Sequence, residues 1–177
     1  PSLREALLEA LAATALPSAA DRMTAALKDP AGVVRLAALN GLRQLQAKSA
    51  AKAIAPLVAD TDRGVRLAAV GALAQLAGMD YFKTIFQRTK AAVEEDGKVR
   101  EAARDALMGL FRQANAKTLA EGIKLLDEDR ETLALKIELL GLYVQRQRAA
   151  KAASLPADLR RLGKALGQHG QHAESAA

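Results

Sequence analysis

A chain of 177 residues that is half apolar has enough material to bury a core, as one domain or one continuous array, so disorder is not its default state. Alanine and leucine dominate and the only aromatics are Tyr81, Phe82, Phe86, Phe111 and Tyr143, a balance that favours helices and leaves few strand-forming residues. The absence of cysteine excludes disulfides, thiolate metal sites and thiol nucleophiles, and the net charge of +6 is unevenly spread: +5 over residues 1–93, −3 over 94–142 and +4 over 143–177.

The first predicted helix starts at Leu3-Arg4-Glu5-Ala6-Leu7-Leu8. Arg4, Glu5 and Glu9 interrupt the Leu3 to Leu16 stretch, which is unlike the core of a signal peptide. A turn around Pro17 leads to a second helix marked by Met23 and Leu27. Asp29-Pro30 then reads as an N-cap with a first-turn proline, opening Val34-Arg35-Leu36-Ala37-Ala38-Leu39. After a turn at Lys48-Ser49 and a helix marked by Ile54 and Val58, the motif returns as Val65-Arg66-Leu67-Ala68-Ala69-Val70, a spacing of 31 in both intervals. Gly78 turns the chain into a helix marked by Ile85 and Thr89. Asp96-Gly97 opens a fourth copy, Val99-Arg100-Glu101-Ala102-Ala103, after a longer interval of 34. A turn at Asn115, a helix marked by Leu119 and Ile123, and a weaker fifth copy from Thr132 with Leu135, Leu139 and Leu140 complete the array.

Each copy has apolar positions at i, i+3, i+4, i+7, i+8 and i+11, as in Val65, Ala68, Ala69, Ala72, Leu73 and Leu76. The centre of that face is small, which lets a neighbouring helix come close. Acidic residues lead in to the motif: Asp29, Asp60 and Asp127 stand five residues before it, and Asp62, Asp96 and Asp129 three before. Chance does not produce this register, and the unit is helix, turn, helix.

The pattern Asp-x-x-x-x-Val-Arg-x-Ala-Ala-x-x-x-Leu resembles the HEAT repeat, in the short variant found in phycobilin-lyase-like and deoxyhypusine-hydroxylase-like arrays, over residues 1–148. The resemblance implies an all-α fold, an α-solenoid of about five helix-turn-helix repeats. The chain departs from the pattern in the three extra residues before Val99, and in Lys136 at a normally small buried position. Residues 149–166, with Pro156 and a short helix from Ala157 to Leu166, read as a capping segment, and residues 167–177 as a polar tail. The in-frame start at Leu3, Leu7 and Leu11 without a polar cap suggests a chain cut from a longer array with further repeats upstream. No run approaches the roughly 18 apolar residues of a membrane span. A cytoplasmic location is expected, with a signal on a longer precursor left open.

Catalytic groups are thin. His169 and His172 lie in the tail with Glu174 and read as ordinary tail more readily than as a metal site. Gly97-Lys98 follows an acidic run and is no phosphate loop. Arrays resembling deoxyhypusine hydroxylase carry His-Glu pairs for iron, which this sequence lacks, and five scattered aromatics hardly line a pocket for a bilin. No enzyme, cofactor or metal is expected. The resemblance implies that Arg4, Arg35, Arg66 and Arg100 pair with acids of adjacent repeats, and Asp29, Asp60, Asp62 and Asp96 are placed to serve. Phe82, Ile85, Phe86 and Val93 have core spacing, whereas Tyr81 sits at the edge of that stripe and is a candidate for partner contact.

Aligning the second helices places Lys52, Lys83 and Lys117 at one equivalent position and Lys28, Lys90 and Lys124 at another, both opposite the apolar stripe. In HEAT arrays the second helices line the concave surface, so the resemblance implies a lysine-bearing groove, diluted by Asp21, Asp80 and Glu121. The expected function is a non-catalytic scaffold holding an acidic protein segment. The alternatives are a nucleic-acid-binding module and, by fold analogy alone, a lyase or chaperone subunit for a small molecule.

Overall fold

In a computed structural model of the chain, which describes residues 3–14, 17–126 and 130–149, every motif copy is helical and each of the first three opens a helix pair. The described chain falls into two compact units, Pro1–Leu107 and Met108–Ala177.

In the first unit, α1 (Leu3–Thr14) and α2 (Pro17–Ala26) form the first pair. The second is α3 (Gly32–Gln44) with α4 (Ala51–Ile54), the latter extended on both sides by 3-10 turns at Lys48–Ala50 and Ala55–Ala59. The third is α5 (Arg63–Ala77) with a 3-10 turn at Gly78–Tyr81 and α6 (Phe82–Gln87). First helices stack on one another, α1 on α3 and α3 on α5, and the second helices pack against them, α2 on α1 and α3, α4 on α5 and α6 on α5, which is the α-solenoid arrangement. The division between units falls within α7 (Gly97–Gln113); α8 (Ala116–Leu125) and α9 (Arg130–Ala149) pack together in the second unit.

The apolar periodicity is the reason these helices stack. In α5, Val65, Ala69, Ala72 and Leu73 are fully buried and Leu76 nearly so, while Ala68 is half-buried. The small middle of the face allows close approach: Gly41 of α3 accommodates Met23 of α2, and a Cβ at Gly41 would lie 2.5 Å from the Met23 Sδ. The second helices bury Met23, Leu27, Ile54, Val58, Ile85 and Thr89. In the second unit Phe111, Leu119, Leu139 and Leu140 make the core, and Lys136 is half-buried.

Local chemistry ends these helices. Pro56 has no N–H to donate to the Lys52 carbonyl, so α4 stops after one turn and continues as 3-10. Gly78 ends α5 at φ 57° and ψ −131°, a conformation nearly confined to glycine. Thr89 donates its hydroxyl to the Phe86 carbonyl (2.8 Å) just beyond α6.

Two expectations need correction. Asp29 does not cap α3: the cap position is Ala31, with no side-chain bond, and the Asp29 carboxylate instead accepts the Ala31 N–H in a tight turn (2.9 Å). Val93 is exposed, not core, because the chain leaves the helix at Gln87 and turns before reaching it. Leu3 and Leu7 are 88% and 56% exposed, although their counterparts Val34, Ala38, Val65 and Ala69 are at most 1% exposed under the preceding helix pair. The capping segment and tail, residues 150–177 with both histidines, lie outside the described residues, as does Asp127.

Candidate functional site

Charge is built into this chain in two places, at opposite ends of its first helices. At the N-terminal ends, the motif arginines Arg35 and Arg66 each work twice. Arg35 donates through Nη1 to the carbonyls of Asp29 and Pro30 (2.9 and 3.0 Å), fixing the loop that leads into its own helix. It also donates through Nε to Asp60 of the next loop (2.8 Å) and through Nη2 to the other oxygen of that carboxylate. Arg66 repeats both actions, on the carbonyls of Asp60 and Thr61 and on both oxygens of Glu94 (3.0 and 3.1 Å). Arg4 reaches Asp29 (2.6 Å), and Arg100 holds the carbonyls of Glu94 and Glu95 (both 2.8 Å). Each acid also accepts the N–H two residues on, Asp60 from Asp62 (2.8 Å) and Glu94 from Asp96 (3.1 Å).

Arginine and acid therefore form rungs that lock successive loops together. Burial acts to raise the pKa of Asp60, but the hydrogen bonds from Arg35 and the Asp62 N–H outweigh it and hold the carboxyl below its ordinary range. The hydrogen bonds that Arg35 donates to Asp60 in turn raise the pKa of Arg35. Asp62 and Asp96 cap their helices through the N–H groups of Val65 and Val99 (both 3.1 Å), and Arg63 pairs with Asp96 (2.8 Å). Asp62 thus serves as a cap and not as the acid of a rung, and Glu94, five residues before Val99 as Asp29 and Asp60 are before Val34 and Val65, takes the third rung. These arginines are consumed in structure.

The other end carries two adjoining cavities. One, of about 440 Å³, lies between α2 and α4. Its floor and walls are Leu27, Ala53, Pro56 and Leu57, and Lys28 and Lys52 stand at its rim. The second, of about 540 Å³, lies on the other flank of α4 against the end of α5. Lys48, Lys52, Gln75, Gly78, Asp80 and Tyr81 line it. Ser49 and Lys52 belong to both. Gln75 is itself held by Arg43 of the preceding repeat (3.0 Å).

Of the sequence-derived candidates, Lys28, Lys52 and Tyr81 are brought together here. Lys83 is exposed on α6 but lines neither cavity. Lys90 is half-buried, with Nζ 5.3 Å from the centre of the Phe86 ring, a cation–π contact that draws it toward its own helix. Lys117 and Lys124 are exposed on α8, in the second unit. Lys48 and Ser49 were recognisable only as a turn; the signal that identifies Lys48 is its position four residues before Lys52, on the same side of a helical turn. Among the described residues no group of three or more His, Cys, Asp or Glu side chains could hold a metal ion, and no helix is long and apolar enough to cross a membrane.

No curated protein matches the chain. A family model described as HEAT repeats matches residues 20–108. HEAT repeats generally act as protein-interaction scaffolds and are typically non-catalytic. The matched stretch runs from α2 into α7 and contains the second and third pairs, two complete arginine–acid rungs and both cavities. With half of its length matched and helix pairs recurring in that register, the chain belongs to the HEAT-repeat family.

Proposed function

We propose that the second-helix side of the first unit binds an acidic segment of another protein, and that the chain works as a non-catalytic scaffold. The observation that carries this reading is the pair of adjoining cavities with Lys28, Lys48 and Lys52 around them, on the side that forms the concave surface in HEAT arrays. Three cations against the single acid Asp80 make a positive field that favours an acidic ligand, and the apolar floor offers area that a purely electrostatic site lacks. Lys83, Lys117 and Lys124 add exposed positive charge on other second helices. Nucleic acid is the rival ligand, and five aromatics give it few stacking surfaces.

Fluorescence anisotropy at low and high salt decides between them, with three labelled probes: a peptide of alternating glutamate and leucine, a single-stranded oligonucleotide and a duplex. The peptide is expected to bind, and Lys28→Glu/Lys52→Glu to abolish its binding while helicity is unchanged. Steeply salt-dependent binding of the oligonucleotides, abolished by the same variant, would replace this reading with the nucleic-acid one.

A further inference from the structure

We infer that the site reads two chemically different side chains in one ligand, an aliphatic one in the cavity between α2 and α4 and a carboxylate in the cavity beyond α4, set about two to three residues apart in an extended segment. This rests on the acidic-segment reading above and specifies the ligand further.

The two cavities differ in lining. Between α2 and α4 the lining is half apolar, Leu27, Ala53, Pro56 and Leu57, beside Thr24, Ser49 and the lysines Lys28 and Lys52. Against that apolar part an ionised group loses hydration without gaining partners, whereas an aliphatic side chain gains burial. Beyond α4 the surroundings reverse. Lys48 and Lys52 stand at successive turns on one side, with Ser49, Gln75 and the Tyr81 ring around them. Here a carboxylate meets two ammonium groups, and Asp80 on the Tyr81 side pushes it toward the lysines.

The separation follows from α4. The cavities lie on its two flanks and share Ser49 and Lys52, so their centres are about one helix-to-helix distance apart, roughly 8–10 Å. An extended chain advances about 3.3–3.6 Å per residue, which spans that distance in two to three residues. Lys52, common to both, can follow the ligand backbone from one cavity to the other with its long stem on the apolar wall.

The test uses an immobilised peptide series on a Gly/Ser background. It carries one leucine and one aspartate at separations from one to about six residues in both orders, with leucine-only and aspartate-only controls. The expected result is a binding maximum at two to three residues, at least roughly tenfold above the aspartate-only control, as burial of a leucine side chain implies, and above the leucine-only control through the carboxylate. Ala53→Leu, which fills the first cavity, should bring the paired peptide down to the level of the aspartate-only control, and Thr24→Leu fills the same cavity from α2 if the first variant fails to fold. Lys48→Glu should bring the paired peptide down to the leucine-only level. Aspartate-only peptides that bind as tightly as the pairs would overturn this inference and leave the acidic groove standing. Failure of every aspartate-containing peptide to bind would remove both.

Discussion

Arg35 and Asp60, 25 residues apart in sequence, meet in a two-point pair between the second and third repeats, with side chains only 12% and 7% exposed. A pair this enclosed and doubly bonded differs from an ordinary surface ion pair, which contributes about 0–1 kcal/mol. Arg35→Ala should cost about 1–3 kcal/mol, because it leaves the Asp60 carboxylate enclosed and frees the Asp29 and Pro30 carbonyls together. Urea unfolding measures it. The rungs and the cavities lie at opposite ends of α5, so peptide binding by the folded variant should be unchanged. Loss of both together would contradict this separation.

The same pair sets an acid response. The Asp60 pKa is depressed in the folded chain, so its contribution to stability is complete above the unfolded aspartate value of about 3.9 and is lost as pH falls through the lower folded value. Asp96, also depressed, acts in the same direction: burial opposes the shift, and the N–H groups of Val99 and Lys98 with Arg63 overcome it. Unfolding midpoints measured from neutral pH down to about pH 3 should fall for the wild type and fall less for Asp60→Asn, whose destabilisation is already present at neutral pH. Parallel profiles would mean that other carboxylates carry the acid transition.

Two substitutions separate the packed face from its neighbour on α5. Ala69 is fully buried, and Ala69→Leu should cost about 1–3 kcal/mol by overpacking. Leu67 is half-buried at a position that is glutamate in the first and fourth copies, and Leu67→Ala should cost less. Thermal unfolding ranks them, and equal losses would argue against this helix face. In the second unit Gly122→Ala should cost about 1–3 kcal/mol, since its Cβ would sit 2.6 Å from the Phe111 ring, which is held in the core.

Among the described residues, Asp80 is the only acid lining the cavity that holds Lys48 and Lys52. Asp80→Asn should tighten binding of aspartate-containing peptides roughly two- to fivefold, with the gain shrinking as salt is raised. Titration by anisotropy at two salt concentrations checks it. Weaker binding by the variant would show that Asp80 orients the lysines and does not oppose the ligand.

Leu3 and Leu7 present apolar surface at positions that the next two repeats cover with a preceding helix pair. A second copy of the chain carries such helix pairs, so the protein should associate with itself at high concentration, and Leu7→Lys should suppress this. Light scattering over a concentration series reports it. A wild-type monomer throughout would show that α1 needs no cover.

The repeating helix pair was legible in the sequence because one side-chain pattern recurs at a fixed interval, and Val34, Val65 and Val99 are buried where that pattern puts them. That the motif arginines meet acids of adjacent repeats was implied by the HEAT resemblance, and of the four acids placed to serve, Asp29 and Asp60 are the ones that meet Arg4 and Arg35. Glu94 holds the same place, five residues before Val99, but as glutamate where the earlier copies have aspartate, so a pattern written on aspartate passes over it. The cavities were not legible. They depend on the early end of α4 at Pro56 and on the backbone angles of Gly78, which are local events with no period. Aligned spacing likewise equates Lys90 with Lys28, but only Lys90 has an aromatic ring beneath it.

From the second rung to the third, the distance from arginine to acid lengthens from 25 to 28 residues and aspartate gives way to glutamate, yet both oxygens are still engaged. The added methylene lets a longer loop reach the same arginine, and lengthening a loop adds little closure entropy, about 0.6 kcal/mol per doubling. That edge is consequently a natural graft point. A foreign peptide spliced beside Ala92, on the exposed stretch before Glu94, would be carried by the array while the arginine still clasped its acid and the helices kept step.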